Sequence, residues 1–335
     1  MGINIKSCYL FCLDNIHQVF MPTDEEMDVT VEGAANFLEK NIEKCIKNPA
    51  GRHGEFRDYS EAKKLFLEYR NRTIPFLEFA TTIAAKRFDW KDRYEIFTAS
   101  DLFMCEIEVN EVDYVACLEL TRRTGITQQV KQSDRGVQNT IELNQSILPA
   151  ASLKSANFFM IHLDKLDITV MESLTSTEDD DTFLYADKIL ECKTEISIKE
   201  AVNKARLVTK EVAKNHKLNE LDIMKDFERV VKETVNEGKD IDVKEIAEEV
   251  FYQCPEAKES CVSELGHHGV EKPVDNSNRI KMPVKKYHTI KTDTGIEIKI
   301  PKDYYRNDDY IEIIDVEGER KEVKIKNVGV LSIAN

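Results

Sequence analysis

The sequence predicts an α+β protein with a mixed, mostly antiparallel sheet, a helical block and a small C-terminal β module. Apolar and polar residues alternate over much of residues 94–175 and again after residue 284, a pattern typical of strands. Between residues 196 and 266, apolar residues recur at spacings of three and four, which indicates amphipathic helices. The length of 335 residues suits two or three domains better than one small core.

Changes in these patterns divide the chain into four predicted segments. The stretch HHGVEKPVDNSNRIKMP is rich in Pro, Gly, Asn and Ser, so it is predicted to be a linker. The segments are an N-terminal α+β domain (1–190), a helical block (191–266), the linker (267–283) and a C-terminal β module (284–335).

The N-terminal domain is predicted to begin with a β-hairpin and three helices. Two apolar runs flank Asp14-Asn15, a pair that tolerates turn conformations, so the first 21 residues are expected to form the hairpin. Helical spacing then predicts one helix before Pro49, a second that begins after Ser60 as its N-cap, and a third over residues 74–88.

The stretch NPAGRHGEFRDYS, residues 48–60, lies between the first two of these helices. Proline and glycine end the first helix, so the stretch is predicted to be a helix-to-helix connection. Phe56 is its expected apolar anchor, with Arg52 and Arg57 at the surface. Two nearby carboxylates offset the two arginines, so the stretch alone cannot hold DNA and is at most the rim of a larger basic patch.

Residues 94–175 are predicted to form an antiparallel sheet of five or six strands, which the N-terminal hairpin is able to join. Asn110-Glu111 marks a short turn between two of the strands. The stretch TRRTGITQQVKQSDR, residues 121–135, is expected to be an exposed loop between strands.

The helical block contains three long amphipathic stretches and a shorter one. Gly238 is placed as a C-cap and Asp242 as the N-cap of the next helix. Beyond the linker, alternating runs interrupted by turn signals at residues 293–295 and 317–318 predict about four strands.

The charge is strongly acidic overall but unevenly distributed. The net charge of −15, from 47 Lys and Arg against 62 Asp and Glu, opposes long-range attraction to nucleic acid. Residues 272–302 nevertheless carry eight basic and three acidic side chains, and residues 121–140 carry four and one. The acidity concentrates in residues 219–264, with 14 acidic and six basic side chains. No apolar run approaches the ~20 residues of a membrane span, so a cytoplasmic protein without membrane contact is predicted.

Five stretches of the sequence form a recognisable set. They are HGEF (53–56), DLFMCEIEVNEVDYVACLEL (101–120), ANFFMIHLDKLDITVMES (156–173), TGIEIKIPKDYY (294–305) and IEIIDVEGERKEVKIKNV (311–328). Together they resemble the bacterial nucleoid-associated protein family of the NdpA type. The resemblance implies association with DNA in the bacterial nucleoid, without an established enzymatic activity.

The candidate DNA contacts are Lys and Arg side chains, which bind phosphates without reading sequence. The stretch RIKMPVKKYHTIK is the best candidate, although its lysines are also what the solvated face of an edge strand would carry. Arg122-Arg123 could clamp phosphate or pair with the acidic helices. The candidates are Arg52, Arg57, Arg122, Arg123, Lys131, Arg135, Arg279, Lys281, Lys285, Lys286 and Lys291.

Catalytic and metal chemistry find little support in the sequence. The chain has no G-x-S-x-G, P-loop or G-x-G-x-x-G motif. Cys254, Cys261 and the pair His267-His268 are spaced more widely than zinc ligands, and the eight cysteines are expected to be free, mostly buried thiols. The carboxylates at 178–181 could bind a divalent cation, but such runs usually remain solvated. His162 could form an acid/base pair with a nearby aspartate, but a structural turn is the favoured interpretation. No catalytic residue, metal or cofactor is predicted.

Two functions follow from these observations. The first is a nucleoid-associated, non-enzymatic protein that binds duplex DNA through its Lys/Arg patches, with weak sequence selectivity and as a homodimer. The alternative is a protein–protein adaptor that docks a partner on its acidic helical block, for example within an anti-phage defence system.

Overall fold

The computed structural model describes residues 2–31, 33–133, 136–152, 154–177, 181–270, 272–276, 287–301, 304, 309–316 and 320–329. Contacts between its residues divide the chain into two compact units, Met1–Lys281 and Met282–Asn335. The α+β prediction is confirmed, because a large antiparallel sheet is combined with helices in the first unit.

The strands are numbered in chain order. They are β1 (Ile3–Asp14), β2 (Val19–Met21), β3 (Arg52–Phe56), β4 (Ala99–Val109), β5 (Val112–Thr121), β6 (Arg123–Ser133), β7 (Gly136–Ile147), β8 (Ala156–His162), β9 (Ile168–Met171), β10 (Thr175–Ser176), β11 (Asp181–Thr182), β12 (Cys192–Thr194), β13 (Tyr287–Lys291), β14 (Glu297–Pro301), β15 (Ile311–Val316) and β16 (Arg320–Ile325).

The helices are numbered in the same way. They are α1 (Ala34–Ile46), α2 (Glu61–Arg70), α3 (Phe76–Arg93), α4 (Ile198–Asn215), α5 (Glu220–Glu237), α6 (Val243–Val250) and α7 (Pro255–His267), with a π-helix over Leu184–Ile189.

Eight strands form the central sheet, in the order β12-β3-β9-β8-β5-β4-β1-β2, and every neighbouring pair is antiparallel. Residues 94–175 contribute four of these strands, fewer than the five or six expected, because β6 and β7 pair outside the sheet. The N-terminal hairpin joins one edge, as the sequence allowed, and β3 and β12 extend the other. The predicted turn at Asn110-Glu111 is confirmed, since both residues have the positive φ of a tight hairpin turn.

Both faces of the sheet are covered. On one face, Phe66 of α2, Phe79 of α3 and Tyr185 of the π-helix pack against the sheet. On the other face, α1 packs through Leu38 and Ile42. Successive side chains of a strand point to opposite faces, so strands buried on both faces contain consecutive apolar residues, as in LFMC of β4.

The stretch of residues 48–60 is more than a helix connection, contrary to the prediction. Residues Arg52–Phe56 form β3, which lies between β9 and β12 in the sheet. A Cβ on Gly54 would lie 2.7 Å from the carbonyl oxygen of Lys193 in β12, so the close approach of these strands requires glycine. The five-residue strand was missed because glycine and charged residues conceal its alternation. Phe56 is buried as expected.

The prediction of a loop at residues 121–135 was also wrong. Residues 123–133 form β6, which pairs with β7 in a long hairpin outside the central sheet. The stretch RTGITQQVKQS mixes β-branched Thr, Ile and Val with Gln and Gly, so its composition suits an exposed strand as well as a loop.

The predicted helix caps are confirmed. The Ser60 hydroxyl accepts a hydrogen bond from the Lys63 N–H at the start of α2. Gly238 ends α5 in the left-handed conformation, and the Asp242 carboxylate caps α6 by accepting from the Lys244 N–H. After α7, the described part of the predicted linker packs against the first unit, because Val270 and Val274 are buried.

The second unit contains two hairpins within its described residues. β13 pairs with β14, and β15 pairs with β16, which gives the four strands predicted. Gly295 adopts a positive φ in the first hairpin turn. The turn predicted at residues 317–318 lies outside the described residues.

Candidate nucleic-acid interface

Arg52 is engaged within the fold. Its guanidinium pairs with the carboxylate of Glu200 in α4 and lies 3.8 Å from the centre of the Phe183 ring. Only 18% of its side chain is exposed. Arg52 therefore joins β3 to the helical block and offers little surface to a phosphate.

We expect Arg52→Ala to lower the free energy of unfolding by about 1–2 kcal/mol, because an ion pair and a cation–π contact at a partly buried site are lost together. Arg57→Ala is the matched control. The Arg57 guanidinium is more exposed than that of Arg52, and it contacts Asp187 at 3.4 Å and the Tyr59 hydroxyl at 3.1 Å. We expect a cost below about 1 kcal/mol for the control. Urea denaturation measures both, and equal losses would contradict the structural role given to Arg52.

The basic candidates in and next to the β6–β7 hairpin differ in their surroundings. Arg122 makes a two-pronged ion pair with the Asp101 carboxylate, at 2.8 Å and 2.5 Å, and is largely buried. Arg123 is exposed, and Lys131 is exposed but pairs with Glu142 at 2.5 Å. Arg135 lies outside the described residues. Among the described candidates at this hairpin, Arg123 is exposed and takes part in neither of these two ion pairs.

Most of the strongest candidate stretch lies outside the described residues, namely Arg279, Lys281, Lys285 and Lys286. The backbone of Lys291 pairs with that of Glu297 at the end of the β13–β14 hairpin.

A cleft of about 660 Å³ opens where β3, β8, β9 and β12 meet. Its charged lining includes three lysines, but four carboxylates neutralise them. The lining residues with ionisable side chains are His53, Glu55, Tyr114, His162, Lys165, Asp167, Lys193, Glu195, Lys272 and Asp275. This balance gives the cleft no positive potential that would attract a phosphate backbone.

His162 has a structural role, as the sequence favoured. Its Nδ1 accepts hydrogen bonds from the N–H groups of Asp164 at 3.1 Å and Lys165 at 3.2 Å. These bonds close the turn between β8 and β9, where Leu166 has a positive φ. His162 Nδ1 is therefore engaged by the backbone of this turn, in line with the structural interpretation that the sequence favoured.

A cluster of charged groups is buried between α3 and the sheet. The Glu119 carboxylate accepts a hydrogen bond from Arg87 Nε at 2.8 Å and lies 3.4 Å from Lys91 Nζ. Ser100 and Asn157 also donate to it, at 2.7 Å and 3.1 Å. Burial alone would raise the pKa of Glu119, but the two cations outweigh burial and hold the pKa well below its usual range.

This buried charge cluster (Arg87, Lys91 and Glu119) has the perturbed pKa that often marks an active site. Its three side chains are at most 5% exposed, however, so no substrate reaches them. The cluster accordingly holds α3 on the sheet. The cluster was not predicted because Glu119 lies 28 residues from Lys91 and 32 from Arg87, so no local motif joins the carboxylate to the two cations.

Glu172 is another buried carboxylate, and no cation like those beside Glu119 is hydrogen-bonded to it in the described structure. It accepts hydrogen bonds from the N–H groups of Tyr185 and Ala186 in the π-helix, both at 2.9 Å. Burial raises its pKa to about 7, and the two backbone hydrogen bonds offset only part of that rise. The native protein therefore binds this proton more tightly than the unfolded chain does.

The sign of the resulting pH dependence follows from the raised pKa. Between the unfolded pKa of about 4.3 and the folded value, the native state holds more protons, so stability falls as the pH rises. From pH 5 to pH 8, we expect wild type to lose about 2–3 kcal/mol relative to Glu172→Gln, which mimics the protonated form at every pH. Urea denaturation of both proteins at the two pH values measures the change. A difference that is independent of pH would contradict the account.

Metal ligation has no support within the described ranges, where no three His, Cys, Asp or Glu side chains come together as ligands would. Cys261 is buried in α7, while Cys254 lies at the helix start and His267 at its end. Of the acidic run at residues 178–181, only Asp181 is described.

A family model described as nucleoid-associated protein YejK matches residues 16–329. The chain belongs to this family. The resemblance stated from the sequence is therefore confirmed. The YejK family is bacterial and nucleoid-associated. Membership therefore gives this chain a nucleoid-associated role. A search of the curated proteins finds no match to the chain.

Two of the stretches that resemble the family form strands of the central sheet. HGEF belongs to β3, where Gly54 permits close contact with β12, and residues 101–120 are the central pair β4–β5. The matched range extends through both units. The candidate contact residues, in contrast, are proposed from charge alone. Among the helices in the described part of the chain, none combines the length and apolar character that a membrane crossing requires.

Proposed function

We propose that the protein binds duplex DNA in the bacterial nucleoid by contacting phosphates with Lys and Arg side chains, with weak sequence selectivity and without catalysis. The observation that carries the proposal is the family match over residues 16–329. Phosphate contacts give affinity without base readout, which suits a protein that associates with DNA generally. The proposed location is the cytoplasm, and the proposed assembly is a homodimer.

The ion pairs within the fold favour some of the candidate side chains over others for these contacts. Arg52 and Arg122 are each paired with a carboxylate at partly buried sites, and removing either from its partner would leave a charge uncompensated. Arg57 and Lys131 are more exposed and remain candidates for a rim. The main contacts are therefore proposed for residues 279–302, where basic side chains outnumber acidic ones, and for Arg123.

Fluorescence anisotropy with a labelled duplex tests this proposal. For nonspecific phosphate contacts, we expect binding with a Kd of about 10⁻⁴–10⁻⁶ M at physiological salt, tightening as salt is lowered. Two duplexes of unrelated sequence and equal length should differ by less than about threefold, because phosphates carry no sequence information. No binding at about 50 mM salt, or strong preference for one duplex, would contradict the proposal.

The adaptor remains a second candidate because of one feature of the helical block. Exposed carboxylates of α5 and α6 surround a depression of about 220 Å³, with Arg229 joining Glu233 to Glu249 at one side. Its acidic lining residues are Glu233, Glu237, Asp242, Glu245 and Glu249. A basic protein surface would complement this acidic depression.

Capture of partners from nuclease-treated lysate separates the two candidates. If DNA binding is the function, proteins that accompany the full-length chain should be lost after nuclease treatment, because DNA bridges them. Partners that persist after nuclease treatment, and that are lost when Glu233, Glu245 and Glu249 are changed to glutamine, would favour the adaptor.

A further inference from the structure

The β6–β7 hairpin is an isolated arm. Its two strands pair with each other along ten residue pairs, and in the described part of the chain neither joins the central sheet. At about 3.4 Å per residue, 11 or 12 residues extend over roughly 35–40 Å. An isolated two-stranded hairpin is at best marginally stable in water, so an arm of this length needs a further surface to pack against.

The register places the large aliphatic side chains of the arm on one face. Directly paired residues of antiparallel strands share a face, and the pairs Ile126–Leu143, Gln128–Ile141, Val130–Asn139 and Gln132–Val137 alternate with polar pairs. We call these eight residues the apolar arm face. Its five aliphatic side chains, Ile126, Val130, Val137, Ile141 and Leu143, are all 63–69% exposed.

The opposite face of the arm is polar and provides an internal comparison. It carries the pairs Thr127–Glu142, Gln129–Thr140 and Lys131–Gln138, and Lys131 forms an ion pair with Glu142. Such a division between an apolar and a polar face is typical of a sheet that is covered on one side. In the described structure, the exposure of the apolar arm face shows that nothing covers it fully.

We infer that the apolar arm face binds the same face of a second copy of this chain. The face contains no charged side chain, so it is a place where two copies with a net charge of −15 can meet without direct repulsion. A two-fold axis would place identical faces together, as in most homodimers. This inference specifies the homodimer within the proposed function.

The area of the apolar arm face fits a dimer contact. One aliphatic side chain offers about 60–120 Å² of apolar surface, so five that are about two-thirds exposed offer roughly 200–400 Å². Two copies would bury about 400–800 Å² of apolar surface in this way. The amides of Gln128, Gln132 and Asn139 on the same face add polar area, which brings the contact to the region of 1,000 Å² that a specific interface needs.

Sedimentation velocity of the full chain, without DNA, tests the inference. We expect wild type at about 10 µM to sediment with twice the 38.6 kDa mass of the chain. Val130→Glu with Ile141→Glu adds four charges to the dimer contact and should raise the dimer Kd at least about 100-fold. The control is Gln129→Glu with Thr140→Glu, which adds the same charge to the same strands on the opposite face and should leave the dimer intact.

Two results would overturn the inference. One is a wild type that stays monomeric at about 10 µM. The other is a Val130→Glu, Ile141→Glu variant that stays dimeric while retaining the wild-type unfolding midpoint. If that variant were unfolded, Val130→Ser with Ile141→Ser would replace it, with a smaller rise in Kd expected. Because no DNA is present, failure here would leave the DNA-binding proposal standing.

Discussion

Glu119→Gln is expected to lower the free energy of unfolding by about 3–5 kcal/mol. The substitution keeps the shape of the side chain but removes the negative charge that compensates two buried cations. Arg87 and Lys91 would remain within the core, where water cannot solvate them. An unpaired charge in a low-dielectric interior costs a large free energy, so the two uncompensated cations would account for most of the lost stability.

The control for Glu119→Gln is Glu108→Gln in the adjacent strand β4. Glu108 lies 3.0 Å from Lys6 in an ion pair whose side chains are 35% and 40% exposed. Solvent compensates such a pair when it is broken, so a cost below about 1 kcal/mol is expected. Urea denaturation measures both variants. A Glu119→Gln variant that is no less stable than Glu108→Gln would show that the buried charge cluster contributes no net stability.

Neutralising the basic stretch after α7 is expected to have the largest effect on DNA binding. The variant changes Arg279, Lys281, Lys285 and Lys286 to glutamine. If these side chains contact phosphates, the affinity for duplex DNA at about 100 mM salt should fall at least about 100-fold, because each lost contact removes the release of about one counterion. Binding should weaken equally for duplexes of different sequence, since phosphate contacts carry no sequence information.

The matched control removes the same charge elsewhere. Lys225, Lys232, Lys244 and Lys258 lie in the acidic helical block, and changing them to glutamine alters the net charge by the same amount. If the contacts are local, this control should change the affinity for DNA less than about threefold. Similar losses in the two variants would mean that net charge, and not the basic stretch, governs binding.

The regular elements were largely predictable because their signals are local. The caps at Ser60, Gly238 and Asp242 depend on one or two residues each, and the structure confirms all three. The helices have apolar residues at helical spacing because one face of each is buried. For β4 and β5, alternation of apolar and polar residues predicted strands, although burial on both faces of the sheet was not evident.

What was not predictable depends on contacts between distant residues. β3 is held in the sheet by its neighbours β9 and β12, which are more than 100 residues later in the chain. Arg52 looked like a surface arginine because its partner Glu200 is 148 residues away. Ile126 and Val130 lie in a stretch that was predicted to be a loop, and only the strand register shows that five aliphatic side chains share one face.

The salt dependence of DNA binding by wild type tests the central proposal most directly. The affinity for one labelled duplex would be measured by anisotropy at several salt concentrations between about 50 and 200 mM. For six to ten phosphate contacts, the plot of log K against log salt concentration should be linear with a slope of about −5 to −9. A slope near zero, or no binding at the lowest salt concentration, would contradict the proposal that the protein holds DNA by its phosphate backbone.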